Sequence, residues 1–400
     1  MSQATVAPGG TVAGRPQPNT TAEAAGGPFV RHAPDGRRAQ YVATTGASGL
    51  LSQPTVSMPG YAKGYRLNWQ ITATNAGGGA ATVTADFPDA IMQLIQMKDA
   101  FGTQLLTGPG YVIGKEVNLY SGQFGTDLMR DPTNSPQQTT YNTSASGVNT
   151  AFTFSRYLSF EFAKAYGVIS GANAALLPVL QINTGPISSI LGGTGVPTSI
   201  TMQETLDSDF YWLPSAPTDP PGLGTTCQWI YQPANPTIPS TASQLVQLPR
   251  LGGYLTMLIL EMRDSTGARF DGWPVRPKIL VDGVPLIDTL FTTWQEDLAI
   301  STGIGAGAAT TLNAAAGTNS GTIPVPRPVG TIGLNRKTSL AQRDFGLLDT
   351  GEIFLSTNPG TQLEIGGFPW GTVSNAPATL NATVGQVVPS GTLVQGLPEV

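Results

Sequence analysis

The residues that could support nucleophilic or metal chemistry are few and lie far apart in the sequence. The chain has one histidine, His32, and one cysteine, Cys227. A Ser-His-Asp or Cys-His arrangement would need His32 to reach a distant site from a turn-rich N-terminal segment. One His with one Cys cannot form a structural zinc site, and a single cysteine excludes an intramolecular disulfide. The sequence therefore predicts no catalytic residue, no metal site, no cofactor and no enzymatic activity.

Two pairs of carboxylates are the remaining candidates for chemistry. Asp86 and Asp89 lie in "ADFPDA", and Asp207 and Asp209 lie in "LDSDFYW". Glycosidases use two carboxylates, and residues i and i+2 of a strand share a face, so the second pair could hold a calcium ion. The spacing lacks the glycine and the terminal glutamate of an EF-hand loop. We interpret both pairs as strand-edge or turn residues and leave cation binding by Asp207 and Asp209 open.

Glycine-rich motifs do not predict nucleotide binding. "GPGYVIGKE" at 108–116 has Pro109 where a phosphate loop needs its first glycine, and its lysine is followed by Glu116 and not by Ser or Thr. "GIGAGA" at 303–308 lacks the flanking strand and helix of a dinucleotide turn. The net charge is −5, and the aromatic residues are not interleaved with basic ones. Specific nucleic-acid binding is therefore not expected.

Composition indicates an all-β protein that buries much of its surface against copies of itself. Only 11% of the 400 residues are charged, against roughly 25% in average soluble domains. The chain has 49 glycines, 33 prolines and 40% hydrophobic residues, which is typical of β-structure with many turns and long loops. So few charges favour a surface buried against copies of the same chain. No apolar run is long enough to span a membrane and no secretory signal opens the sequence, so we expect a protein made in the cytoplasm of its host.

Two stretches indicate that the chain carries two copies of one domain. "GYRLNWQITAT" begins at Gly64 and "GYLTMLILEMRD" at Gly253, 189 positions later. A second strand, an Asp-containing turn and a helix follow each stretch, with Asp99 and Asp282 separated by 183 positions. The first strand alternates apolar and polar residues, whereas the second is apolar on both faces, as in a strand buried between two layers. A tandem duplication explains the near-constant offset, and chance similarity between β-rich segments is the alternative.

The helix of each copy is predicted from its apolar positions. The first is "GYVIGKEVNLY" at 110–120. The second is "PLIDTLFTTWQEDLAI" at 285–300, where an apolar stripe would face the core. The stripe comprises Leu286, Ile287, Leu290, Phe291, Trp294 and Leu298.

Four segments follow from this pattern. Residues 1–59 form an N-terminal arm and lead-in segment, 60–213 a first jelly roll, 214–245 a proline-rich connector, and 246–400 a second jelly roll. Each copy contains about eight short strands, the number in a jelly roll. The connector has seven prolines between 214 and 239 and is predicted to run outside a sheet interior. Turn-rich stretches at 121–150 and 301–322 are predicted to be long loops at equivalent positions.

These two repeats resemble the double jelly-roll major capsid proteins of the adenovirus and tectivirus lineage. The resemblance covers residues 60–400 in pattern and order, and the chain length is similar to that of the bacteriophage members. It implies trimers of pseudo-hexagonal outline that assemble an icosahedral shell, around an internal membrane, with vertex and minor capsid proteins as further partners. It also implies that the N-terminal arm faces the membrane, with Arg31, Arg37 and Arg38 as contacts for acidic lipid.

Two other classes of function remain as alternatives. A trimeric phage spike or receptor-binding protein would share the β-rich, Gly- and Thr-rich composition, but no repetitive shaft is visible. A tandem β-sandwich carbohydrate-binding protein would share the two-domain pattern. A tailed-phage capsid fold would call for a long spine helix, and no helical pattern of that length occurs.

Overall fold

The computed structural model describes residues 34–45, 49–53, 60–74, 81–84, 86–120, 140–141, 149–159, 161, 167–171, 175, 177–192, 196–197, 199–213, 225–238, 245–248, 254–269, 272–294, 311–312, 321–322, 330–335, 355–356, 362–367 and 378–389. In chain order the strands are β1 (Asp35–Thr45), β2 (Gly49–Gln53), β3 (Gly60–Thr74), β4 (Ala81–Val83), β5 (Met92–Lys98), β6 (Gln104–Gly108), β7 (Thr140–Tyr141), β8 (Asn149–Ser159), β9 (Ile169–Ser170), β10 (Val179–Thr184), β11 (Leu191–Gly192), β12 (Ser199–Trp212), β13 (Thr225–Ile238), β14 (Val246–Gln247), β15 (Tyr254–Arg263), β16 (Lys278–Val281), β17 (Val284–Asp288), β18 (Thr311–Leu312), β19 (Gly321–Thr322), β20 (Thr331–Asn335), β21 (Leu355–Ser356), β22 (Leu363–Gly366) and β23 (Ala378–Pro389).

The order of strands within the sheets repeats. In the first unit, β1 to β12, one sheet has the order β1-β12-β3-β8 and the other has β2-β10-β5-β6. In the second unit, β13 to β23, the corresponding orders are β13-β23-β15-β20 and β14-β22-β16-β17. In both units the first of these sheets has the lead-in strand, the last strand, the first long strand and a middle strand in the same order. The predicted all-β fold of two tandem jelly rolls is confirmed, while the domain boundaries stay a prediction.

A parallel strand pair joins the two units into one extended sheet. β6 of the first unit lies beside β13 of the second, with Leu106 next to Trp229 and Thr107 next to Ile230. The Gln228 amide also donates to the Gln104 carbonyl at 2.5 Å. The second sheet of the first unit and the first sheet of the second unit are therefore continuous.

The proline-rich segment was expected to lie outside a sheet interior, and for Thr225–Ile238 that expectation is wrong. This stretch is β13, which pairs antiparallel with β23 on one side and parallel with β6 on the other. Eight proline-free residues, 225–232, carry most of the pairing. Pro233 adjoins the point where the register shifts, because a residue without an N–H cannot extend a regular ladder.

β15 lies between two hydrophobic cores, as its apolar residues on both faces predict. Met257 and Ile259 pack into the first core with residues of the first unit, including Ile113. Leu258 and Leu260 point the other way into the second core. Alternate side chains of one strand thus fill both cores, because successive side chains project to opposite faces.

The predicted second helix is only partly correct. Its first residues form β17, which folds back on β16 through a two-residue turn at Asp282 (φ 50°) and Gly283 (φ 76°). Two successive positive φ values fit a tight hairpin, so the chain reverses as a strand before helix 291–294 begins. Leu298 lies outside the described residues. In the first copy, β5 and β6 form the equivalent hairpin, and the helix predicted at 110–120 is confirmed as Tyr111–Glu116 continuing into Val117–Tyr120.

Gly385 lets Trp229 pack across β23, and its replacement should destabilise the fold. A Cβ at this position would lie 2.2 Å from the indole ring of Trp229. We expect Gly385→Ala to lower the free energy of unfolding by about 1–3 kcal/mol through overpacking. Gly49→Ala is the matched control in another strand, since its Cβ would meet nothing within 4 Å. Urea denaturation of both variants checks this, and equal stabilities would contradict it.

Candidate functional site

The carboxylates Asp207 and Asp209 already have protein partners on the outer face of the first sheet. The Arg37 Nε donates to Asp209 Oδ1 at 2.6 Å, and Arg66 Nη2 lies 3.7 Å from Asp209 Oδ2. The Asn68 amide donates to Asp207 Oδ2 at 2.8 Å. Within the described part of the chain, no three His, Cys, Asp or Glu side chains form a group that could hold a metal ion.

The other residues singled out in the sequence are dispersed. Arg31 and His32 lie outside the described residues, as do most of the stretches 121–150 and 301–322. Arg38 lies in β1 opposite Ser208, and its side chain is not among those described. Cys227 is buried in β13.

Asp86 and Asp89 do not form a carboxylate pair, because each binds different arginines. Asp89 accepts two hydrogen bonds from Arg156 of β8, at 2.6 Å from Nε and 2.7 Å from Nη2. Both side chains are fully buried, at 0% and 1% exposure. This bidentate pair fastens β8 to the 3-10 turn Asp89–Ile91.

Asp86 belongs to a larger group of charges between the two units, which we name the ionic cluster: Asp86, Glu116, Glu261, Arg263 and Arg269. Asp86 accepts from Arg263 Nη2 at 2.8 Å and from Arg269 Nε at 2.6 Å. Arg269 also reaches Glu116 at 2.5 Å and Glu261 at 3.3 Å, and Arg263 contacts Glu261. Asp86 and Glu116 come from the first unit, and the other three members come from the second.

The elements around the ionic cluster hold it in place. A turn whose Asp264 carboxylate accepts from the backbone N–H of Ala268 at 3.0 Å returns the chain after β15, so that Arg269 bridges back to Arg263. Both guanidinium groups lie over the ring of Tyr111, at 4.7 Å and 5.2 Å from its centroid. The cluster is thus enclosed by helical segment 111–120 on one side and by β15 on the other.

Burial and mutual attraction shift the pKa values of this cluster in opposite directions. Burial disfavours ionised Asp86, but Arg269 and Arg263 outweigh it and lower the pKa of Asp86. For Glu116 burial dominates, and with repulsion from Glu261 it raises the pKa to about 7 against the pull of Arg269. Burial alone would lower the pKa of Arg269, but its three carboxylate partners raise it above the ordinary value.

The titration of Glu116 predicts a stability that declines with rising pH. The unfolded chain loses this proton near the ordinary pKa of 4.5, whereas the folded chain keeps it until about pH 7. The folded state therefore binds more protons in that interval, and the free energy of unfolding falls as pH rises through it. Glu116→Gln should flatten this part of the profile. Urea denaturation between pH 4.5 and 8 measures the slope, and an unchanged slope in the variant would contradict the assignment.

The arrangement connects the two units and offers no catalytic constellation. Sequence reasoning marked Asp86 as a carboxylate of interest but missed its arginine partners, which are 177 and 183 positions away. The Arg-Asp pair that ends "LTMLILEMRD" was visible only as charge after an apolar strand. The sequence carries no local signal that Arg263 and Arg269 of the ionic cluster meet, because they are six residues apart on either side of a turn.

Comparison with solved structures relates this double arrangement to viral capsid proteins. The chain superimposes on the major capsid protein of Sulfolobus Turreted Icosahedral Virus with a TM-score of 0.59 and 13% identity, covering 91% of this chain and 100% of that chain. The chain has the double jelly-roll fold. The PBCV-1 protein VP54 matches with a TM-score of 0.54 and 12% identity, covering 90% of this chain and 95% of that chain. The Faustovirus major capsid protein matches with a TM-score of 0.51 and 8% identity, covering 89% and 90%.

Sequence comparison gives no corresponding relative. No protein-family model matches the chain, and no curated protein matches it either. The structural matches confirm the predicted resemblance to double jelly-roll proteins at the level of fold. Their sequence identities of 8–13% explain why comparison of sequences alone finds no relative.

Proposed function

We propose that the chain is the major capsid protein of an icosahedral virus. The repeated sheet order carries this proposal: two jelly rolls of identical topology stand side by side in one chain. Double jelly rolls that match it over at least 90% of their own length include the major capsid proteins of Sulfolobus Turreted Icosahedral Virus and Faustovirus. Their names describe structural proteins, which supports a structural and not an enzymatic role here.

The mechanism is assembly by repetition. Three chains supply six similar units, so a closed ring of three can occupy a position with six neighbours. The parallel pair β6–β13, the shared β15 and the ionic cluster fix the angle between the units of one chain. Each chain then supplies two adjacent units of the six-sided capsomer, held at a fixed angle to each other. A chain with only 11% charged residues fits burial of roughly 2,000–5,000 Å² per permanent interface.

We assign the first jelly roll to 60–213 and the second to 246–400, with each preceding lead-in strand completing its first sheet. The virus is a bacteriophage whose shell surrounds a membrane, and vertex and minor capsid proteins bind at its edges. Arg31, Arg37 and Arg38 contact acidic lipid; Arg37 does so while its side chain, 53% exposed, remains paired with Asp209. Among the described residues, no helix is long and apolar enough to cross a membrane.

Particles that contain this chain test the proposal. A shell protein should be present in hundreds of copies per particle and should form capsomers of six-sided outline in electron micrographs. A spike should be present in a few dozen copies at the vertices. A carbohydrate-binding protein should give a strong signal on a glycan array, and such a signal without particle incorporation would overturn the proposal.

A further inference from the structure

Among the strands that the structure describes, one edge of the second unit is open where the same edge of the first unit is occupied. β6 is the last strand in the sheet order β2-β10-β5-β6, and β13 covers its outer edge in parallel. β17 holds the same place in the order β14-β22-β16-β17, and within the described residues it pairs with β16 alone. An exposed strand edge presents unpaired backbone N–H and C=O groups, which are ready to accept another strand.

The complementary edge is present at the start of the chain. β13, which covers β6, is the lead-in strand of the second unit. β1 is the lead-in strand of the first unit, and in the described part of the structure it pairs with β12 alone. The chain therefore has an acceptor edge at one end of its strand series and a donor edge at the other.

Apolar side chains surround the open edge of β17. Val284 is 66% exposed and Leu286 is 36% exposed on that strand, and Leu290 is 48% exposed just beyond it. Val275, which is 65% exposed, lies next to them because its carbonyl accepts from the Phe291 N–H at 2.9 Å. We name Val275, Val284, Leu286 and Leu290 the edge patch.

The first unit shows what such a region looks like when it is covered. There the helical segment that follows β6 has Val112 and Ile113 almost completely buried, at 1% exposure each. Ile113 shares the first core with Trp229 of the incoming strand β13. The edge patch holds apolar side chains in the corresponding part of the second unit, but there they remain exposed.

We propose that β17 of one chain pairs in parallel with β1 of a second copy, and that the edge patch is buried in this contact. The proposal rests on the capsid function proposed above and names the partner surface within the capsomer. It repeats between chains the junction that β6 and β13 make within one chain. Because donor and acceptor edges differ, the contact is heterologous, and three copies related by a threefold axis close it into a ring.

The internal repeat also predicts the register of this contact. Trp229 of β13 is opposite Gly385 of β23, which in turn is opposite Met257 of β15. The corresponding row of the first unit is Val42, Thr205 and Asn68. In the β5–β6 hairpin, Leu106 is opposite Met97, which precedes the turn residue Asp99 by two positions. In the β16–β17 hairpin, Pro285 is the corresponding residue, because it is opposite Leu280, two positions before Asp282. Val42 should therefore lie beside Pro285, and Ala43 beside Leu286. Since Pro285 has no N–H to donate, the pairing stays short, as it is between β6 and β13.

Cysteine cross-linking of the full-length chain tests this register. Ala43→Cys and Leu286→Cys in one chain should form intermolecular disulfides in oxidised glutathione, giving bands at two and three times 41.6 kDa on a denaturing gel. Each single variant should remain at one chain mass, because the native Cys227 is buried. Trimers that fail to cross-link in the double variant would overturn the strand pairing.

A charge variant tests the edge patch independently. Val284→Asp with Leu286→Asp should weaken trimer formation at least tenfold in mass photometry, while the separated chains keep the wild-type circular dichroism spectrum because both positions are exposed. Phe101→Asp, at a 51% exposed turn residue of the first unit, is the control and should assemble normally.

If wild-type chains form trimers and the charge variant does too, the edge contact is wrong while the capsid proposal stands. If the chains with Ala43→Cys and Leu286→Cys cross-link but stop at dimers, the three-copy capsomer is wrong. If wild-type chains never associate, both the edge contact and the capsid proposal fail.

Discussion

Replacing Arg156 by Met should lower the free energy of unfolding by about 3–5 kcal/mol, because it leaves the buried Asp89 carboxylate without its hydrogen-bonded arginine. Asp89 is 0% exposed, and Arg156 makes both of the close contacts to its oxygens, at 2.6 and 2.7 Å. Methionine keeps most of the buried volume, so the loss reports on charge and hydrogen bonding more than on a cavity. Urea denaturation at constant pH measures it.

The control for Arg156 is an arginine in an exposed pair. Arg276 lies 3.2 Å from Asp288 with 59% of its side chain exposed, and its replacement by Met should cost at most about 1 kcal/mol. Combining Arg156→Met with Asp89→Leu should recover part of the loss, since two matched apolar groups no longer leave a buried charge. A double variant as unstable as Arg156→Met would argue that packing, and not the unpaired carboxylate, causes the effect.

Replacing Arg269 by Met should be at least as damaging and should depend on pH. Arg269 contacts Asp86, Glu116 and Glu261, so its loss leaves three carboxylates facing Arg263 alone among the cluster's cations. We expect a loss of about 3–5 kcal/mol near pH 8. The loss should be smaller near pH 5, where Glu116, with its pKa raised to about 7, carries a proton.

The effect of Arg269→Met should also be confined to the junction between the units. Hydrogen exchange should become faster in β6, β13 and β15, while β3 and β12 in the far sheet of the first unit remain protected. Arg269→Met combined with Glu116→Gln should lose less stability at pH 8 than Arg269→Met alone. A loss that is equal at pH 5 and pH 8 would contradict the role given to Glu116.

Local patterns in the sequence were sufficient for the long strands and for the duplication. Alternation in "GYRLNWQITAT" predicts β3, and apolar residues on both faces of Tyr254–Met262 predict a strand between two layers, which β15 is. The Asp282–Gly283 dipeptide marks the turn where β16 reverses into β17. These signals are local, because the period of a strand and the conformation of a turn depend on residues that are near neighbours in the chain.

Helix 285–300 and the connector were mispredicted because neighbours in space overrode the local signal. The apolar spacing of Leu286 and Ile287 also fits a helix, but pairing with β16 stabilises a strand there. Prolines on both sides of Thr225–Gln232 indicate a connector, but β23 and β6 offer hydrogen-bonding partners to the proline-free residues between them.

The sequence by itself determined that this is a duplicated all-β chain with a low surface charge and two jelly rolls, since periodicity, turn residues and composition are properties of the linear chain. Only the tertiary structure decided which charges meet: Asp89 finds Arg156 across 67 positions, and Asp86 finds Arg269 across 183. It also decided that β13 covers the edge of β6, whereas β17 pairs with β16 alone in the part of the chain that the structure describes. Contacts at such separations depend on how the sheets stack and join, and no local pattern of residues encodes them.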